Sequence, residues 1–252
     1  MNFKDKKIII TGASKGLGKE LAIEFEKLGA QLVLIARSKE LLNKMASNFT
    51  LKLNHLILAE DLLNKENTKN ILDKIEKEFN RIDIIIHCLG GSFGINDPMD
   101  SWENFEKSLR GNLGVAVDIN NKFVPHMIKS GGGNIIHISS VVSQQSTASP
   151  FYCTAKAALS GYVRSMGNHL AQSNIFLSGV VPGAFIADDN AMARFKFYKP
   201  EEYKSFVSNL PQKEMPHAKE YLGLIKILAS DNARIFAGSL INADSGQGIS
   251  IL

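Results

Sequence analysis

The sequence predicts an α/β fold: a single doubly wound parallel sheet of about seven strands, with helices on both faces. Three observations carry this expectation. Short branched apolar runs recur along the chain, amphipathic stretches fill the gaps between them, and a glycine-rich turn, TGASKGLG at 11–18, follows the first run directly. Continuous apolar runs of this length suit strands buried on both faces. Their alternation with helices is what parallel strands joined by crossovers require.

Taken in order, strands are expected at 8–11 (IIIT), 32–36 (LVLIA), 56–59 (LILA), 82–88 (IDIIIHC), 134–139 (NIIHIS), 176–181 (FLSGVV) and 239–242 (SLIN). After the first strand, Leu17, Leu21, Phe25 and Leu28 form one apolar stripe at helical spacing. Before the fourth, Ile71, Ile75 and Phe79 form another, with lysines and glutamates opposite. Further helices are expected over 102–130 and from the stretch YCTAKAALSGYVRSMG onward. Residues 184–217 break the alternation. They are long, aromatic and mixed in charge, and read as a substrate lid within one domain spanning 1–252.

Composition narrows the function classes. The chain has 252 residues, 44% hydrophobic and 21% charged, ordinary for a globular protein. Its formal net charge of +4 is spread along the chain, which argues against nucleic-acid and membrane-surface partners. Cys88 and Cys153 have no metal-ligand or disulfide spacing, so no metal is expected and a reducing compartment is. The apolar run after Lys7 is too short for a signal segment, and the expected location is cytoplasmic.

In a doubly wound sheet the first strand-to-helix turn meets the phosphates of a dinucleotide. Gly12, Gly16 and Gly18 let the backbone approach a pyrophosphate, and the N-terminus of the next helix favours negative charge. The spacing is not GxGxxG, because Leu21 stands where the last glycine would be. At the end of the second strand, an acidic residue would bind ribose hydroxyls, but this chain has Arg37. Lys15 and Arg37 together suit a 2′-phosphate, so NADP(H) is the expected coenzyme, with NAD(H) the alternative.

These motifs, with others downstream, resemble the short-chain dehydrogenase/reductase family over nearly the whole chain. The turn matches TGxxxGxG, Asp61-Leu62 the adenine-contact position, Asn112 the GNLG asparagine, and YCTAK the YxxxK signature; HISSV, Pro182-Gly183 and ADSG follow the same order. The resemblance implies a Rossmann-like fold and a coenzyme site at Gly12, Ser14, Lys15, Gly16, Leu17, Gly18, Arg37, Asp61, Leu62, Gly90, Tyr152, Lys156, Pro182 and Gly183. It also implies a catalytic set of Asn112, Ser140, Tyr152 and Lys156, and a homo-oligomer, dimeric or tetrameric. Ser139 competes with Ser140: Ser140 precedes Val141 as the family serine does, whereas Ser139 has the commoner spacing to Tyr152.

The chemistry of this set also follows from the residues. Tyr152 and Lys156, four apart on a helix, share one face. An ammonium about 5 Å from a phenol favours the phenolate by ~3 kcal/mol at an effective dielectric near 20, which brings tyrosine towards neutral-pH proton exchange. Tyr152 is then the general acid for carbonyl reduction and the base for alcohol oxidation, with Ser140 polarising the oxygen.

Two departures stand out. HCLG, His87 to Gly90, replaces the family's NNAG; Gly90 keeps the close approach to coenzyme, His87 reads as a structural strand histidine and Cys88 as a buried apolar residue. Ala187 stands where a threonine often contacts the nicotinamide amide. The resemblance suggests a small carbonyl or alcohol substrate, with 3-oxoacyl groups on a carrier protein first. Such a carrier would need a basic patch, for which Lys107, Arg110, Lys122 and Lys129 are the candidates; a solvated helix face accounts for the same residues. Gln144, Gln145 and Asn96 support the alternative, a sugar or other polyhydroxylated metabolite. A non-catalytic NADP(H)-binding regulator is the reading from another class, and the complete catalytic set argues against it.

Overall fold

The computed structural model describes residues 1–51 and 53–250. Seven parallel strands form one sheet: β1 (Lys7–Thr11), β2 (Gln31–Ala36), β3 (Leu56–Ala59), β4 (Ile84–His87), β5 (Gly133–Ile138), β6 (Ile175–Pro182) and β7 (Leu240–Ala243), in the order β3-β2-β1-β4-β5-β6-β7. The order reverses between β1 and β4, and at such a switch point the loops leaving the strands diverge and open a crevice. Every apolar run expected as a strand is one, with ends shifted by up to two residues.

One face of the sheet packs α1 (Gly16–Lys27), α2 (Lys39–Ala46) and α9 (Leu222–Leu228) around Leu21, Phe25, Leu42 and Ile225. The other packs α3 (Lys65–Glu78), α5 (Val115–Lys129) and α6 (Pro150–Ala171) around Ile75, Phe123 and Val163. Ile8, Ile9 and Ile10 of β1 are wholly buried between the two layers. At ~1.5–3 kcal/mol per buried aliphatic side chain, these three isoleucines contribute about as much as a domain's net stability. The continuous apolar runs therefore report folding, and function lies in the loops at their carboxyl ends.

Helix α4 (Trp102–Leu109) runs into α5 through a five-residue π-helical turn, Arg110–Gly114. Beyond β6 the chain forms α7 (Ala191–Tyr198) and α8 (Pro200–Ser208). This excursion leaves and returns at one point: Ile186 accepts from the amide of Ala218, and its own amide donates to Pro216, at 2.9 and 2.8 Å. It has a small core of its own, Tyr203, Leu210 and Met215.

Candidate active site

A cleft of about 850 Å³ opens at the carboxyl ends of β1, β2 and β4. The glycine turn forms one wall, Arg37 and Ser38 after β2 another, and Asp61–Leu63 and Cys88–Gly94 the rest. Gly12 and Gly16 have φ of 66° and 56°, the left-handed region that favours glycine. A Cβ at Gly18 would lie 2.4 Å from the Gly12 carbonyl oxygen, so the first turn of α1 can fold tightly against the loop only with glycine there. The cradle is shaped for backbone approach by a phosphate group, and its donor set fits a dinucleotide carrying a further phosphate. Lys15 and Arg37 are both exposed at its mouth, and neither side chain makes a hydrogen bond or ion pair among the described residues.

Across the switch point the helices bring the other expected residues together. Pro150 at the first position of α6 presets the helix, and Tyr152 and Lys156 follow one turn apart. The Tyr152 phenol is hydrogen-bonded to the Ser140 hydroxyl at the end of β5. Lys156, 3% exposed, donates from Nζ to the Ile138 carbonyl at 2.8 Å. A Cβ at Gly90 would fall 2.9 Å from Asn112 Oδ1 and 3.0 Å from Lys156 Nζ, so the bare glycine lets the loop after β4 run close against both side chains. Asn112 lies in the π turn, a helical irregularity that often marks a functional position. Its amide clamps the Gly90-Gly91 segment, accepting from the Gly91 amide and donating to the Gly91 carbonyl, each at 3.0 Å, while also donating to Ser108 at 2.9 Å.

The electrostatics correct one expectation. Burial pushes the Tyr152 phenol up, and the hydrogen bond from Ser140 only partly offsets it. Lys156 Nζ stands 5.9 Å from the centre of the tyrosine ring and is engaged by a backbone carbonyl, so it does not bring the phenol down as the helical spacing suggested. Desolvation instead lowers Lys156 itself, to about 8. The protein alone thus holds a neutral phenol beside an ammonium that can lose its proton in mildly alkaline solution.

The competing serines separate. Ser139 is buried and bonds Ser160 at 3.2 Å, whereas Ser140 meets Tyr152. Asp61 lines the cleft and accepts from the Leu63 amide at 3.0 Å, while the Leu62 side chain belongs to the core. Pro182 and Gly183 lie outside the cleft lining; Gly183 packs against Gln247, which clamps the Ala184 backbone at 2.7 and 3.1 Å. Ala187, at 3% exposure, is part of the core. Cys88 is half-buried at the cleft wall, with its thiol pushed up to about 12 by burial.

The basic patch that a carrier protein would need does not assemble. Arg110 turns inward, pairing with Asp118 and donating to the Leu62 carbonyl at 3.1 Å and to Thr68 Oγ1 at 3.2 Å. Lys122 is held by Asp73 and Glu76 at 3.0 and 2.7 Å, Lys107 is exposed where it lines the dinucleotide cleft, and Lys129 is exposed near the end of α5.

Sequence reasoning missed two groups. Asp189, Asn190, Ala191 and Arg194, at the start of α7, line the cleft opposite the glycine turn. They are held there by the Gly16 amide, which donates to the Asp188 carbonyl at 3.3 Å, and by a Lys19–Asp188 ion pair at 3.1 Å. Nothing local signals this contact across some 170 residues of sequence separation. His137 was the second omission. It stacks on His87 in the layer behind Lys156, and the signal was available: both histidines fall near the ends of adjacent strands.

Comparison with known proteins agrees with this geometry. A family model described as short chain dehydrogenase matches residues 6–196. An L-xylulose reductase of Caenorhabditis elegans is 29% identical, covering 97% of this chain and 96% of that protein. A 3-oxoacyl-[acyl-carrier-protein] reductase of Haemophilus influenzae is 27% identical over 96% and 98% of the two chains. Among solved structures, an L-sorbose reductase from Gluconobacter frateurii, complexed with NADPH and L-sorbose, superposes with a TM-score of 0.86 at 25% identity, covering 98% of this chain and 97% of its own. Among the described residues no helix is long and apolar enough to cross a membrane.

Proposed function

Because the chain belongs to the short-chain dehydrogenase family, we propose that it is an NADP(H)-dependent oxidoreductase interconverting a small ketone and the corresponding secondary alcohol. The observation that carries this reading is the meeting of Ser140, Tyr152 and Lys156 beside a cleft with two unpaired cations at its mouth. When bound, the dihydronicotinamide supplies the hydride. Lys15 and Arg37 hold the 2′-phosphate, and the glycine turn takes the pyrophosphate on backbone amides. Ser140 donates to the carbonyl oxygen and orients it. Tyr152 delivers the proton to that oxygen during reduction and removes it during oxidation. Lys156 provides positive charge beside the phenol, and Asn112 fixes the Gly90-Gly91 segment that would border the bound coenzyme.

The substrate class we propose is a polyhydroxylated ketone. The inward turn of Arg110 and the pairing of Lys122 leave a carrier protein little to dock on, and ketose reductases stand among the similar proteins. A 3-oxoacyl reductase is the second reading; the exposed aromatic pair Phe197 and Tyr198 beside Lys196 on α7 favours it, as a surface for an acyl carrier. Residues 184–217 act as the lid in either case. Assembly as a dimer or tetramer follows the family, with Trp102, 65% exposed on α4, available to an interface.

The test is NADPH consumption with L-xylulose, L-sorbose and a 3-oxoacyl thioester in parallel. The expected result is a kcat/KM at least about tenfold higher for a ketose than for the thioester, the discrimination that correctly paired hydroxyls give. The reverse ranking installs the second reading. NADPH binding without consumption of any substrate overturns both and leaves a non-catalytic coenzyme-binding protein.

A further inference from the structure

His87 and His137 are register partners on β4 and β5. Side chains at matched positions of parallel neighbours leave the same face about 4.8 Å apart, and here the rings stack with centroids 4.6 Å apart and planes 21° apart. Both residues are at most 4% exposed. His87 Nε2 lies 2.9 Å from Asn120 Oδ1, and the Asn120 amide nitrogen donates to the Tyr162 hydroxyl at 3.1 Å. The asparagine oxygen can only accept, so His87 carries its proton on Nε2 and its Nδ1 is a bare acceptor. That Nδ1 has no partner among the described residues, and neither has either ring nitrogen of His137.

Both histidines border a small space of about 10 Å³, lined by Thr11, His87, Asn112, His137 and Ile138 together with apolar neighbours. A volume of this size holds one water, and a water needs two to four polar partners. Thr11 Oγ1 accepts from the Leu89 amide at 3.2 Å and keeps its own proton to donate. We propose that this space is a built site for one ordered water, bonded to His87 Nδ1, Thr11 and His137, and that the two imidazoles are positioning residues for Lys156.

The second part follows from what surrounds the water. Ile138, whose carbonyl holds Lys156 Nζ, and Asn112, which clamps Gly91, line the same space. One water there ties the ends of β1, β4 and β5 directly beneath the atoms that place the ammonium. The support must stay uncharged, since an imidazolium would repel Lys156. Burial lowers both rings, His87 to about 4 and His137 well below its ordinary value, with Lys156 depressing His137 further. The titratable groups facing the pair are Lys156 and Tyr162 from α6 and Cys88 just after β4, the last a neutral thiol; Thr11 from β1, Asn112 from the π turn and Asn120 from α5 carry no charge. The positioning role rests on the function proposed for Lys156, whereas the water site does not.

Two measurements test the pair of statements. A crystal structure of the wild-type protein at a resolution that orders internal water should show one peak within hydrogen-bond distance of His87 Nδ1 and of Thr11 Oγ1 or His137. A dry cavity overturns the water site. For the second statement, His137→Phe keeps the stacked ring and removes its nitrogens, while His137→Asn keeps a polar group. With NADPH saturating, ketone reduction by His137→Phe should fall about tenfold, with its alkaline limb displaced from that of wild type, and His137→Asn should recover part of both. Wild-type behaviour in a folded His137→Phe overturns the positioning role. Failure of the wild type to reduce any ketone removes the functional reading itself and with it the positioning role, while the electron density still decides the water site.

Discussion

At the β1–β2 end of the sheet Lys15 and Arg37 stand exposed and unpaired, whereas at the β4–β5 end Lys156, His87 and His137 are at most 4% exposed. The same sheet edge thus carries two kinds of polar site. Groups proposed to hold a diffusible phosphate are left free, because an exposed cation keeps its charge and loses little when the ligand departs. Groups assigned to proton chemistry are withdrawn from water, and burial moves Lys156 to about 8 and His87 to about 4. The contrast teaches that binding and chemistry are separable here by substitution.

The strongest way to break that contrast is Tyr152→Phe. Removing the phenolic proton should lower kcat about 10²–10⁴-fold while NADPH affinity, read by coenzyme fluorescence, stays within about twofold, since the phosphate-binding end is untouched. Comparable losses in both quantities would show that the two ends are not separable.

The buried end should also reveal itself through stability. The folded-state pKa of His87 is about 4 against an ordinary 6.5. The unfolded chain therefore binds this proton first as pH falls, so stability is lost between about pH 6.5 and 4 and regained as pH rises through that window. The full effect is ~3 kcal/mol. Urea unfolding at several pH values should show a clearly shallower acid loss for His87→Asn than for wild type; parallel curves would mean that the ring is not held neutral by burial.

The smallest expected effect sharpens the exposed end. Arg37→Asp removes one charge-assisted donor to a 2′-phosphate and should weaken NADPH about 10–100-fold, leaving NADH equal or better. Parallel titrations check it. Unchanged NADPH affinity would move the phosphate to Lys15 or to Arg194, which reaches the cleft from α7.

Much of the site was legible from the chain. The glycine turn, Arg37, Ser140 and the Tyr152/Lys156 pair all fall where the strand and helix pattern puts them, because each is set by local geometry: a turn after a strand, or one turn of helix. What was not legible depended on orientation and surroundings. Lys107, Arg110, Lys122 and Lys129 read as one basic face, yet the π turn and the acids of α3 and α5 send them four ways. Tyr152 was expected to be lowered by its lysine and is instead raised, since burial is a property of the packed layers rather than of a spacing of four.

The sequence by itself determined the seven strands of the sheet and most of the residues gathered at its carboxyl edge. Hydrophobic runs and glycines act over a few residues and need no knowledge of distant partners. Only the tertiary structure decided that His87 would lie against His137, that Asp188 would dock on the glycine turn, and that Lys156 would surrender its proton at about 8. Those outcomes depend on contacts across long separations and on how completely water is excluded, and both are settled when the layers close.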